Sequence, residues 1–108
     1  MEFILDFTKG NQERIAKMVN MFLKSTPEEM ERLQSLHTKK NYPEIGALVH
    51  SFKAKFTYMG MQQLTDIAKE IEHNAKEDKN LEQIGTLIQE LVTHCEIAYK
   101  ELAELLNN

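Results

Sequence analysis

Apolar residues recur at three- and four-residue steps through most of this chain, which is the spacing of one face of an α-helix. Phe3, Ile4 and Phe7 predict a short amphipathic helix that ends at Gly10-Asn11. A second stripe predicts a helix from about residue 11 to residue 25, and its members are Ile15, Met18, Val19, Phe22 and Leu23. Thr26-Pro27 then has the composition of a new helix start, because Thr is a good N-cap and Pro suits the first helical turn. The segment that follows continues to Lys39-Lys40.

Asn41-Tyr42-Pro43 opens the next helix by the same logic, and Gly60 predicts its end. Its apolar stripe consists of Ile45, Leu48, Val49, Phe52, Phe56 and Met59. Another stripe follows at Leu64, Ile67, Ala68 and Ile71. After the polar Asp78-Lys79-Asn80 loop, the last helix is predicted from Leu81 to Leu106, with a buried seam at Ile84, Ile88, Leu91, Cys95, Ala98, Leu102 and Leu105.

The short loops between these segments predict that neighbouring helices are antiparallel. Only four glycines and two prolines occur, which leaves few residues for the turns of a β protein. We therefore expect an all-α protein: an antiparallel up-and-down four-helix bundle with a short extra N-terminal helix, formed as one domain over residues 1–108. A monomer is expected, because the apolar stripes can cover one another.

Composition narrows the possible functions. The net charge of −4 argues against nucleic-acid binding, which depends on an excess of Lys and Arg. No apolar run approaches the ~20 residues that span a bilayer, and the first residues lack the features of a signal peptide, so no membrane partner is expected. A single cysteine, Cys95, cannot form an internal disulfide. These features predict a cytoplasmic protein.

His50 lies on the side of its helix away from the apolar stripe, since successive residues are 100° apart. Gly46, Lys53, Ala54 and Thr57 share that side. The lone pair of a neutral imidazole can attack phosphorus. The ammonium of Lys53 would then offset the added negative charge, by about 1–4 kcal/mol at ~4 Å. The spacing alone fits a phosphoryl acceptor, and it also fits a solvent-exposed histidine with no role.

A family resemblance favours the first of these interpretations. The segment resembles the signature of histidine-containing phosphotransfer (Hpt) domains, in which the accepting His precedes an apolar residue, Lys, usually Gly, and later Gly and Leu. The matching positions in this chain are, in the same order, His50, Phe52, Lys53, Ala54, Gly60 and Leu64. The Leu-Glu pair that commonly ends the next helix corresponds to Ile71-Glu72. Because Gly10-Asn11, Phe22-Leu23 and Thr26-Pro27 also fit, the resemblance covers nearly the whole chain.

The resemblance implies a phosphorelay intermediate. His50 would accept a phosphoryl group from an aspartyl phosphate on one receiver domain and pass it to another receiver, while Lys53 neutralises the added charge. The implied receiver-docking surface consists of Gly60, Ala54, Thr57, Met59 and Met61. The implied partners are response-regulator receiver domains and a hybrid sensor kinase. No cofactor is expected on this chain, and any Mg²⁺ would belong to the receiver.

Two departures from the signature are visible. Ala54 stands where Gly is usual, a mild change because Ala is also small. Lys55 and Phe56 replace residues that are usually small, which could alter which partner docks. Glu72 is a weaker match to a family role than His50 or Lys53. No glycine-rich nucleotide loop is present, so the chain is not expected to be an enzyme or to phosphorylate itself.

Two other classes of function stay open. One is a helical adaptor that binds a receiver or kinase without phosphotransfer, and the other is a bundle with a catalytic or metal role. The second has little support, because the sequence offers no clear ligand set: the adjacent His94 and Cys95, for example, point about 100° apart on a helix and cannot share a metal without other ligands. His37, His73 and His94 are expected at the surface or at the core boundary. Cys95 and the methionines are expected in the core, except that Met59 and Met61 could form an exposed apolar patch beside Gly60.

Overall fold

Short connections join four helices in the computed structural model, which describes residues 12–106. The helices are α1 (Gln12–Thr38), α2 (Tyr42–Tyr58), α3 (Gln62–Glu77) and α4 (Leu81–Leu106). Helices α1 and α3 each pack against both α2 and α4, and the described residues contain no strand. The predicted all-α four-helix bundle is confirmed. The extra N-terminal helix predicted at Phe3, Ile4 and Phe7 lies outside the described residues.

Helix α1 corrects one prediction, since it runs through Pro27 instead of ending at residue 25. Thr26 is not an N-cap: it is fully buried, and its hydroxyl oxygen accepts a hydrogen bond from Lys55 Nζ at 3.2 Å. A proline inside a helix removes one backbone hydrogen bond and costs about 3 kcal/mol. One buried stripe continues past the proline and offsets that cost; its members are Val19, Phe22, Thr26, Met30 and Leu33.

The ends of α2 follow the sequence signals. The side-chain oxygen of Asn41 accepts a hydrogen bond from the Glu44 amide at 3.4 Å, and Pro43 occupies the first turn. After Tyr58 the chain reverses at Gly60, which has a φ of 75°. This left-handed conformation is readily available to glycine. It allows the Met61 amide to donate to the Phe56 carbonyl at 2.8 Å, so α3 starts antiparallel to α2.

The core lies between the four apolar faces. The seam predicted on α4 is confirmed for its described side chains: Ile84, Ile88, Leu91, Cys95, Ala98 and Leu102 are buried. Aromatic rings from three helices meet at its centre, with the Phe22 ring centroid 6.2 Å from that of Phe56 and 6.0 Å from that of Tyr99. Among the methionines, Met21 departs from the prediction, because 63% of it is exposed.

Within residues 12–106, none of the helices combines the length and the apolar character needed to cross a membrane.

The continuity of α1 can be tested at Pro27. We expect Pro27→Ala to raise the free energy of unfolding by about 1–3 kcal/mol, because Ala restores an amide that can donate to the Leu23 carbonyl. Urea unfolding followed by circular dichroism measures the change. Pro43→Ala is the matched control, because an amide in the first turn of a helix has no helical hydrogen-bond partner and the proline there removes no bond. The free energy of unfolding of Pro43→Ala should equal that of wild type or be lower by less than about 1 kcal/mol. A Pro27→Ala protein no more stable than wild type would contradict the continuous helix.

Candidate functional site

His50 projects from α2 into solvent. The opposite face of the same helix is buried in the bundle through Ile45, Val49, Phe52 and Phe56, which fixes the rotation of α2. The His50 side chain is 62% exposed. The orientation inferred from the helical periodicity is therefore correct, and the ring is accessible to a second protein.

Helices α2 and α3 meet in a regular antiparallel register. The Thr57 and Thr65 hydroxyl oxygens are 3.5 Å apart at one end of the contact. Two turns away, His50 bonds to Glu72. In both pairs the two residue numbers add up to 122. A residue one position later in α2 therefore faces a residue one position earlier in α3. This register places α3 side chains directly beside His50.

Glu72 is the buried centre of the site. Only 8% of its side chain is exposed, and three basic groups surround its carboxylate. His50 Nδ1 is 2.7 Å from Oε2, Lys53 Nζ is 2.8 Å from Oε1, and Lys76 Nζ is 2.8 Å from Oε2. Burial by itself would raise the pKa of Glu72, but the hydrogen bonds from Lys53, Lys76 and His50 outweigh it and lower the pKa to about 2. The carboxylate is therefore ionised at neutral pH.

The charge on Glu72 decides which imidazole nitrogen can react. An ionised carboxylate only accepts hydrogen bonds, so His50 Nδ1 must hold the proton that it donates to Glu72. In the neutral ring, the lone pair is then on Nε2. The geometry therefore leaves Nε2 as the ring nitrogen that faces away from Glu72 with an unshared lone pair.

An open groove between α2 and α3 lies beside the ring. His50, Lys53, Ala54, Thr57 and Tyr58 line it from α2, and Gln62, Thr65 and Lys69 line it from α3. The small side chain of Ala54 leaves the groove open next to His50. A group bound to Nε2 therefore has space in front of it and ammonium groups nearby.

The predicted docking residues fall into two sets. Ala54, Thr57 and Gly60 are exposed on the His50 side of the bundle. The exposed apolar patch predicted at Met59 and Met61 is wrong, because these residues are only 3% and 5% exposed. Both methionines are part of the hydrophobic core, where they close the end of the bundle beneath the Gly60 turn.

Gly46 also corrects the sequence prediction. It was expected beside His50 on the open side of α2, but it is buried against α3. A Cβ at this position would lie 3.7 Å from Ala75 Cβ and 3.6 Å from Lys76 Cγ, so the two helices are close here. This close contact helps to bring Glu72 and Lys76 to the imidazole.

Sequence reasoning gave Glu72 too little weight and did not name Lys76. A possible signal was the Glu-Lys pair at i, i+4 on one helix, but such pairs are common on helix surfaces. The location of Lys55 was predicted correctly. It lies at the core edge, where its ammonium pairs with Glu29 and sits 5.8 Å from the Phe22 ring centroid. Lys55 therefore does not serve the His50 groove.

The other candidate nucleophiles and ligands are placed elsewhere. His73 is exposed on α3, and His94 is half-buried with its Nε2 3.3 Å from Gln63 Nε2. Burial raises the pKa of the Cys95 thiol to about 12, so this core residue stays protonated. Within the described part of the chain, no group of three or more His, Cys, Asp or Glu residues could hold a metal ion.

Comparison with protein families gives one match. A family model described as "Hpt domain" matches residues 17–107, which is most of the chain and includes both sides of the His50 site. Comparison with curated proteins and with solved structures gives no significant match to either.

The tautomer of His50 gives a direct test of the Glu72 contact. In Glu72→Ala the acceptor is lost, so we expect a mixture of Nδ1–H and Nε2–H forms in place of the single Nδ1–H form of the wild type. Nitrogen–proton correlation spectra of the imidazole at pH 8 distinguish the two forms. Glu72→Gln is the matched control, since its amide oxygen can still accept the bond. An unchanged tautomer in Glu72→Ala would show that Glu72 does not set it.

Acid should remove the stabilisation that Glu72 supplies. Its pKa is lowered from the ordinary 4.5 to about 2, so this contribution is complete above pH 4.5 and is lost as the pH falls through about 2. The drop corresponds to about 3 kcal/mol of unfolding free energy. The side chain of Glu72→Gln does not titrate, so it cannot lose stability in this way. We therefore expect the unfolding free energy of wild type to fall relative to that of Glu72→Gln by about this amount from pH 5 to pH 2. Urea unfolding at each pH measures it, and a constant difference would contradict the ionised, paired carboxylate.

Proposed function

Because the chain belongs to the Hpt domain family, whose members transfer phosphoryl groups through a histidine in two-component signalling, we propose that His50 is the accepting residue. Hpt domains in general are phosphocarriers and not enzymes. The observation that carries the proposal is the arrangement of one ring: an exposed imidazole whose Nδ1 donates to a buried, ionised Glu72 2.7 Å away.

The proposed step is a direct displacement at phosphorus. The Nε2 lone pair of His50 attacks the phosphorus of an aspartyl phosphate on a receiver domain. The Nε2–P bond forms as the bond from phosphorus to the aspartate oxygen breaks, and the aspartate leaves as a free carboxylate. Transfer to the next receiver is the same step in reverse, with an aspartate oxygen as the nucleophile.

Glu72 assists this step electrostatically. As Nε2 bonds to phosphorus, positive charge develops on the ring while Nδ1 keeps its proton. A fixed carboxylate 2.7 Å from Nδ1 stabilises that charge, and it also holds the ring in the orientation that points Nε2 outward. Lys53 offsets the negative charge of the incoming group, in keeping with an ammonium that is bonded to the same Glu72 carboxylate as the ring.

The partners follow from this chemistry. Response-regulator receiver domains, and a hybrid sensor kinase that contains one, would supply and remove the phosphoryl group in the cytoplasm. They would dock as single molecules over the groove at Ala54, Thr57 and Gly60, with this chain acting as a monomer. Mg²⁺ would bind to the receiver, where it would neutralise the aspartyl phosphate.

The test is a phosphotransfer assay with a matched histidine control. Receiver domains from the same organism are labelled with radioactive acetyl phosphate and Mg²⁺, purified, and mixed with the chain. We expect wild type and His73→Gln to take up acid-labile, alkali-stable label, and His50→Gln to take up none. His73 is suited to this control because it is also exposed and lies next to Glu72 in the sequence.

Label on His50→Gln equal to that on wild type would refute the assignment. Receivers that bind wild type and His50→Ala equally, without transferring label to either, would favour the adaptor function instead.

A further inference from the structure

Lys69 lies directly across the groove from Lys53. The register of α2 and α3 is set by the Thr57–Thr65 and His50–Glu72 contacts, and in the same register residue 53 faces residue 69. Both lysines line the groove that contains His50. Both also line a neighbouring depression around Glu72, so Lys69 borders the site on two sides.

The two facing lysines differ in their partners. Lys53 is 29% exposed and its ammonium is bonded to the Glu72 carboxylate at 2.8 Å. Lys69 is exposed and has no ion pair or hydrogen bond with any residue that the structure describes. Like charges on opposite sides of a groove repel one another unless an anion lies between them. The resting site therefore contains a cation that forms no ion pair with any carboxylate in the part of the chain that the structure describes.

Phosphorylation would change the charge of this groove. Lys53 and Lys76 are both already hydrogen-bonded to Glu72, and a phosphoryl group on Nε2 brings up to two further negative charges. Movement of Lys53 fully onto the phosphoryl group would weaken one of the bonds that hold Glu72. Lys69 can approach the group without breaking any contact.

We propose that Lys69 is a second phosphoryl-binding cation, which closes on the group at His50 Nε2 from the α3 side while Lys53 contacts it from the α2 side. This inference rests on the proposed acceptor role of His50. It adds a residue of α3 to the site and assigns it to the phosphoryl group itself, not to the surface of a partner.

The experiment uses a small-molecule phosphoryl donor, so that contacts with a receiver domain cannot affect the measured rate. Potassium phosphoramidate is added to the full chain: Nε2 attacks phosphorus, the Nε2–P bond forms, and the P–N bond of the donor breaks with release of ammonia. We expect Lys69→Gln to be phosphorylated about three- to tenfold more slowly than wild type, the effect of one cation near a solvent-exposed phosphoryl group. Lys69→Arg retains the charge and should stay within about twofold of wild type.

Lys100→Gln is the control for loss of one positive charge. It is exposed on α4, which does not pack against α2, and it should react at the wild-type rate. Phosphorus NMR of the phosphorylated chain gives a second readout: Lys69→Gln should shift the phosphohistidine signal, and Lys100→Gln should not. Circular dichroism checks that all variants keep the helical fold.

The outcomes separate the two proposals. If wild type takes no phosphoryl group on His50 from either donor, the proposed function fails and Lys69 has no such role. If wild type is phosphorylated on His50 but Lys69→Gln reacts like Lys100→Gln with phosphoramidate, only the Lys69 inference is overturned. A Lys69→Gln protein that is slow with a phosphorylated receiver and normal with phosphoramidate also overturns it, since Lys69 would then contact the partner.

Discussion

The carboxylate of Glu72 is the interaction on which the site depends. It lies between α2 and α3 with almost no solvent contact, and three basic groups meet at its two oxygens. A buried charge is costly unless it is fully paired, and here the pairing is more than complete, because two lysines surround one carboxylate. The same contacts hold the imidazole in one tautomer. A single side chain therefore both stabilises the α2–α3 contact and sets the protonated nitrogen of the imidazole.

Most of the fold could be predicted from local patterns. The stripe on α2, the seam on α4 and the turn at Gly60 all follow from side-chain periodicity and glycine conformation. The junction at Pro27 could not, because two kinds of information disagree there. Thr26-Pro27 is locally typical of a helix start, yet burial of Thr26 together with its apolar neighbours favours a continuous helix. Tertiary packing outweighs the local preference, and a single sequence does not show how strong that packing is.

The functional site, too, could be predicted from local sequence patterns only in part. His50 and Lys53 share one helix, so their spacing alone predicts that they are neighbours. Glu72 and Lys69 come to the site from another helix, and their positions depend on the register between α2 and α3. That register follows from the length of the turn at Gly60 and from the close contact at Gly46, which helical periodicity had placed on the open side. Met59 and Met61 were misplaced for a related reason, since residues that flank a turn can point inward as easily as outward.

The turn at Gly60 joins the two helices that supply every side chain of the site. Imidazole, carboxylate and ammonium groups all come from one helical hairpin, residues 42–77, whose contacts are close together in the sequence. Chain segments with such short-range contacts assemble quickly and with little loss of loop entropy. Helices α1 and α4 supply the core that supports this hairpin but none of its reactive groups. Substitutions on their outer surfaces would therefore leave the His50 groove and the groups around Glu72 in place.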